Sequence, residues 1–178
     1  MRVCRGRGAV NVEKVTKMGY DRLGDVAVAQ GKLDEAAGAY GDGLAIAKKL
    51  AAGDPGNTQW QRDLSVSYNK LGNVAVAQGK LDEAARAYGV ALAIAKKLAE
   101  GDPGNTEGQR DLSYSLFKIS KLQAQQKHWP DAIGNAEASL ETSERLSQLD
   151  GSNATWQEDV RASRAWLEQL RRQAASTQ

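Results

Sequence analysis

Apolar positions along this chain fall at helical intervals. Between residues 68 and 95 they are Tyr68, Leu71, Ala75, Leu81, Ala84, Ala85, Tyr88, Leu92 and Ala95. Spacings of three and four put each group on one face of a helix, where a strand would alternate. Gly79 interrupts the pattern, so QGKLDEA reads as a tight turn between two helices. Asp82 and Glu83 open the second helix and Lys96 and Lys97 lie near its end, as the helix dipole favours. GDPGN at 101–105 stops it, and Asn105 or Thr106 is suited to cap the next. The unit is a helical hairpin.

Nearly the same text runs from Tyr20 to Asn57, offset by 48 residues; carried on to Ser67 and Ser115, about 38 of 48 positions match. The offset also carries Asp102 to Asp150, Asn105 to Asn153 and, over two periods, Trp60 to Trp156. A third, degraded copy therefore runs from Leu116 to about Val160. Helices are predicted at about 11–30, 33–52, 58–78, 81–100, 106–127, 130–148 and 156–175. The expected organisation is a disordered basic tail at 1–10, three repeats at about 11–57, 58–105 and 106–153, and a capping helix with a polar tail at 154–178. In the cap, Val160, Trp166, Leu167 and Leu170 make one apolar face, although Arg164 and Arg171 stand where earlier copies have core residues.

Leu71-Gly72, Ala75, Ala84, Tyr88 and Ala91, with Tyr68 at the first aromatic place, form a pattern that resembles the tetratricopeptide repeat. Leu23, Gly24, Ala27, Ala36 and Tyr40 repeat it; Gly43 departs from it, standing where Ala91 does. The resemblance implies an all-α fold, a right-handed α-solenoid of three helical hairpins plus a C-terminal capping helix. The period exceeds the usual one by two sevens, each nearly two helical turns, which implies helices of about 18 to 21 residues. The family's concave groove would be lined by the first helix of each repeat: Met18, Asp21, Asp25, Val28 and Ala29; Val66, Asn69, Asn73, Val76 and Ala77; Tyr114, Phe117, Lys121, Ala124 and Gln125. Three differences between the first two periods fall there: Asp21 against Asn69, Asp25 against Asn73, and Val66 against Tyr114. Drift at exposed positions would produce the same. The candidate partner-binding residues are Asp21, Asp25, Asn69, Asn73, Tyr114, Phe117 and Lys121. An extended peptide is expected along them, its basic part at the two aspartates and its acidic part at Lys121. Asn73 would bond its backbone, and Tyr114 and Phe117 would anchor it. Asp21 and Asp25 do not suit the family's carboxylate clamp for chaperone tails.

The formal net charge of +2 singles out neither nucleic acid nor membrane. RNA binding through Arg2, Arg5, Arg7 and the arginines of the last helix is the weaker reading. One cysteine, Cys4, fits a reducing compartment. Residues 1–10 lack the apolar core of a signal peptide, and no run suits a membrane span, so a cytoplasmic protein is expected. His128, the single histidine, has no metal or catalytic partner nearby in sequence, and GDPGN lacks the ending of a phosphate-binding loop. No catalytic, cofactor or metal site is expected. Trp60 and Trp156 read as core, with Gly108 leaving a hollow in the intervening copy. The functional expectation is a non-catalytic scaffold for a protein or peptide partner. The alternative is a regulatory or sensor array cut from a larger bacterial signalling enzyme, since Val12 and Val15 read as part of an extended first helix. Self-association through the first repeat is a further expectation, because no hairpin precedes it.

Overall fold

The computed structural model describes residues 5–176, with side chains from residue 11. Among them are seven helices and no strand: α1 (Arg5–Ala29), α2 (Leu33–Gly53), α3 (Thr58–Ala77), α4 (Leu81–Gly101), α5 (Thr106–Gln125), α6 (Trp129–Leu149) and α7 (Ala154–Ala175). The fold is all-α and built of helical repeats. Helices α2 to α6 are 20 or 21 residues long. The largest boundary difference is at the start. Helix α1 begins at Arg5, not at Asn11, so helix occupies 5–10 where a tail was expected; residues 1–4 lie outside the described residues. Extending an existing helix by a turn is cheap compared with nucleating one, which is how the packed part of α1 can carry Arg5 to Val10 along with it.

The repeat fixes its own connections. Asn57, Asn105 and Asn153 recur at the 48-residue offset, and each cap side chain accepts from a backbone N–H in the first turn: Trp60, Gly108, and both Thr155 and Trp156. Gln61, Gln109 and Gln157 recur one turn later and donate back to carbonyls at or beyond the end of the preceding helix, at Ala51 and Pro55, Ala99, and Gly151. The hairpin corners need one left-handed residue each. Gly31 (φ 72°) and Gly79 (φ 74°) supply it without a Cβ penalty, whereas the third corner places Lys127 at φ 60°. Pro130 follows in the first turn of α6, where its missing N–H costs nothing.

The chain forms two compact units, Met1–Ala91 and Leu92–Gln178, divided inside α4. In the first, α2 packs against both α1 and α3. Its core joins Ala27, Ala36, Tyr40 and Val74, with Leu33, Ala37 and Leu71 beside them. Helices approach closely here because Gly24 faces the Tyr40 ring and Gly72 the Tyr88 ring. In the second unit, α6 packs against α5 and α7. Ala124, Ala132, Ala136, Leu167 and Leu170 form its core, with Trp129, Ile133, Leu140 and Trp166 packed around it. Trp129 packs at the hairpin corner, and of the expected apolar residues of the last helix Val160, Leu167 and Leu170 are buried and Trp166 half-buried. The tyrosine of the earlier copies is replaced by Ala136, and its glycine by Ser120. Ser120 donates to the Ala132 carbonyl (2.7 Å) and accepts from the Trp166 indole N–H (2.8 Å), so a side chain from α7 occupies this region.

Candidate functional site

The first-unit candidates are engaged within their own unit. The Asn73 Oδ1 accepts from the Tyr88 hydroxyl at 2.7 Å, and the Asp25 carboxylate accepts from the Tyr40 hydroxyl at 2.6 Å. Asp25 also takes the Lys70 ammonium at 2.8 Å, joining α1 to α3, and the same Lys70 lies 4.9 Å from the centre of the Tyr40 ring. Burial opposes ionisation of Asp25, but Lys70 and Tyr40 outweigh it and hold the carboxyl below its ordinary value. Burial, and then the neighbouring Asp25 carboxylate, push the Tyr40 hydroxyl well above its ordinary value. Asp21 accepts from Lys17 at 2.7 Å, and Lys17 is buried at the place where Ser65 and Ser113 stand in later copies. Gly43 leaves space for this pair: a Cβ there would meet Asp21 Oδ1 at 3.3 Å. Asn69 is buried. The oxygens expected to receive a peptide thus already accept from tyrosine and lysine donors of the fold.

The second-unit candidates are brought together. Tyr114 is 44% exposed, and Phe117 and Lys121 continue along α5 from it. The Phe117 and Trp166 rings meet edge to face, with centroids 6.4 Å apart. The Lys121 ammonium lies over both, 4.9 Å from Phe117 and 5.2 Å from Trp166, and Lys118 lies 5.1 Å from the Tyr114 ring. An ammonium held over a ring face keeps its charge while part of its water shell is replaced by the ring. A hollow of about 200 Å³ opens beside these residues, lined by Tyr114, Phe117 and Lys118, with Ser113, Ser139 and Ser163 also in its wall. At its edge Arg110 grips Asp159 with two nitrogens, at 2.6 and 3.3 Å. A second hollow of about 360 Å³ lies between Lys121, Gln125, Trp129 and Trp166.

Trp166 belongs to this surface as well as to the core, which the chain pattern did not show. It stands in register with Lys70 and Lys118, so no periodic signal marks it as aromatic. The serine cluster was also missed. Ser113 Oγ lies 2.7 Å from Ser143 Oγ and 3.1 Å from Ser139 Oγ, and Ser139 Oγ lies 3.3 Å from Ser163 Oγ. These hydroxyls bond each other and backbone carbonyls, and no histidine, lysine or carboxylate is among the partners seen, so the arrangement satisfies buried polar groups without activating a nucleophile. His128 is exposed at the α6 start and makes no side-chain cap bond. Among the described residues, no group of three His, Cys, Asp or Glu could hold a metal ion, and no helix is long and apolar enough to cross a membrane. Trp60 and Trp156 are half-buried, and Gly108 is itself buried beneath the Asn105 side chain instead of opening a hollow.

Comparison with curated proteins gives no match. Among solved structures, the DHF119 filament aligns at 12% identity and a TM-score of 0.43, covering 95% of this chain and 84% of that one. The crystal structure of the de novo designed helical repeat protein DHR64 aligns at 11% identity and a TM-score of 0.43, with the same coverage. A tetratricopeptide repeat family model matches residues 64–103, the end-to-end span of the α3–α4 hairpin without its first turn and a half. Residues 64–103 are a tetratricopeptide-type repeat.

Proposed function

We propose that this protein is a non-catalytic interaction scaffold whose ligand surface is the aromatic and basic face of α5 and α7. The observation that carries the reading is the Lys121 ammonium stacked over Phe117 and Trp166, beside an exposed Tyr114. A carboxylate of a partner would meet Lys121 and Lys118, and an apolar side chain would enter the hollow beside Tyr114. Aromatic side chains offer large contact area for little lost rotamer freedom, and usually dominate such contacts. The ligand class is therefore an extended acidic segment carrying an aromatic or aliphatic anchor. The aspartates of the first unit, engaged by Lys17, Lys70 and Tyr40, are not part of this reading.

Selection of a random displayed-peptide library on the full chain tests it. Enriched peptides should combine Asp or Glu with an apolar anchor. Their affinity should fall about tenfold on Lys121→Glu, a loss of about 1.4 kcal/mol, and should weaken with salt. Both changes lie on the surface, so helicity should be unchanged in Lys121→Glu and Tyr114→Ala. Enriched peptides without acidic residues, or affinity indifferent to both variants, would overturn the reading.

A further inference from the structure

The contact between α5 and α6 is built in layers seven residues apart, nearly two helical turns. In one layer Ser120 donates to the Ala132 carbonyl at 2.7 Å. Seven residues back on α5 and seven forward on α6, Ser113 donates to the Ser139 carbonyl at 3.0 Å. The layers differ in what α7 brings to them. To the first it brings Trp166, whose indole N–H ends on the Ser120 hydroxyl at 2.8 Å. Seven residues back from Trp166 stands Asp159, whose carboxylate turns to Arg110 at 2.6 Å. The space that an indole occupies in one layer is, in the other, the hollow of about 200 Å³ beside Tyr114.

The hollow has the size and the lining for one ring. A cavity of about 150 Å³ holds benzene, and this one is somewhat larger. Tyr114 and Phe117 stand in its wall, and its floor is hydroxyl: Ser113, Ser139 and Ser163 are 4%, 0% and 4% exposed. A hydroxyl has one proton and two lone pairs. Ser113 and Ser139 spend their protons on each other's carbonyls, both at 3.0 Å. Ser163 then donates to Ser139 Oγ at 3.3 Å, which leaves the Ser163 lone pairs to accept. The floor therefore calls for a donor, as Ser120 does one layer on. The rim carries Arg110 and Lys118 against Asp159 alone, so an ammonium donor is disfavoured, and the lone pairs of the floor oppose an anion. A neutral ring with an O–H or N–H satisfies both conditions.

We propose that this hollow takes a tyrosine or tryptophan side chain of the bound segment, its O–H or N–H donated to Ser163. The ring packs against Tyr114 and Phe117, where edge-to-face and offset contacts are the favoured arrangements. Ser163 is then the residue that selects a donor-bearing ring over phenylalanine or leucine. The inference rests on the ligand surface proposed above and narrows it: the acidic groups meet Lys121 and Lys118, and the anchor is an aromatic ring with a hydrogen-bond donor. The fold already contains the same recognition in Trp166 and Ser120, with the ring supplied by the chain itself.

Titration of the full chain with p-cresol and skatole, the side chains of tyrosine and tryptophan, tests it by nitrogen-edited NMR. The O-methyl and N-methyl derivatives, which lack the donor, are titrated alongside. Cresol and skatole should shift the amides of Tyr114, Phe117 and Ser163. They should bind about fivefold tighter than their methylated counterparts, the worth of one neutral hydrogen bond. Ser163→Ala should erase that preference while ring binding persists. Ala162→Phe, at an exposed residue of the lining, should fill the hollow and abolish binding of all four probes with helicity unchanged. The probes carry no charge, so the hollow is tested apart from Lys121 and Lys118. Equal affinity for donor and methylated probes, a preference that survives Ser163→Ala, or shifts centred away from the hollow overturns the proposal. So does a lack of binding up to the solubility of the probes. Probe binding as expected, without binding of acidic peptides, would uphold the ring site and overturn the acidic-segment reading instead.

Discussion

Gly72 and Tyr88 should behave as one packing unit, and a double-mutant cycle can measure it. A Cβ at residue 72 would fall 2.4 Å from Tyr88 Cε1, 2.5 Å from Cδ1 and 3.0 Å from Cζ. Ordinary carbon contacts lie near 3.5–4.0 Å, so the ring must retreat by about 1 Å. It is poorly placed to do so: Tyr88 is 3% exposed, and its hydroxyl is held by Asn73 at 2.7 Å. Forcing the ring out of place costs about 1–3 kcal/mol, and loss of its hydrogen bond about 1 kcal/mol more. Replacing glycine by alanine inside a helix returns about 1 kcal/mol. Gly72→Ala should therefore destabilise by roughly 2 kcal/mol, and Tyr88→Ala, which leaves a cavity, by about 4 kcal/mol. In the double variant the clash has no object and the alanine gains its helix preference, so the cost should be about 3 kcal/mol against a sum of about 6. The third copy has made a comparable exchange, carrying Ser120 with Ala136. Urea unfolding followed by circular dichroism, at equal m-values, reads these numbers. Additivity to within about 0.5 kcal/mol would refute the packing argument.

Three further changes follow from local geometry. Lys127→Gly should stabilise the protein by about 1 kcal/mol in the same urea assay, because it relieves a left-handed lysine where the other corners have glycine. Asn57→Ala should cost about 1 kcal/mol by removing the bond to the Trp60 N–H. Asp25 has a lowered pKa, so it binds fewer protons folded than unfolded near its ordinary value of about 4; its stabilising effect is full above that pH and is lost as pH falls through the folded value. Asp25→Asn should therefore flatten the acid limb of the stability curve below about pH 4 while changing stability near neutrality by less than about 1 kcal/mol, since the carboxylate is more than half exposed.

The hairpins were legible because their signals are local and repeated. Three-and-four spacing, the GDPGN stops and the recurring asparagines fix each helix within a few residues. The start of α1 was not legible in the same way, since Asn11 suits a cap but does not act as one. The use made of Asp25 and Asn73 was hidden for a different reason. Both lie where a groove residue belongs, and only the packed hairpin shows the tyrosine hydroxyl, fifteen residues on, reaching back to each. A signal did exist: Gly24 and Tyr40, and Gly72 and Tyr88, share one spacing, and both members change together in the third copy. Trp166 carried no such signal. Its neighbours Phe117, Ser120 and Lys121 are almost a full period away, and at its own repeat position the earlier copies hold Arg22, Lys70 and Lys118.

The central proposal is that the chain binds an acidic, apolar-anchored segment on α5 and α7. Its most direct test is a nitrogen-edited NMR titration of the full chain with a peptide taken from the library selection. The account predicts that shifts concentrate on the Trp166 indole N–H, Tyr114, Phe117 and Lys121, and that Lys121→Glu abolishes them at the same peptide concentration. Shifts centred on Asp21, Asp25, Asn69 and Asn73, with the Trp166 indole unmoved, would contradict it.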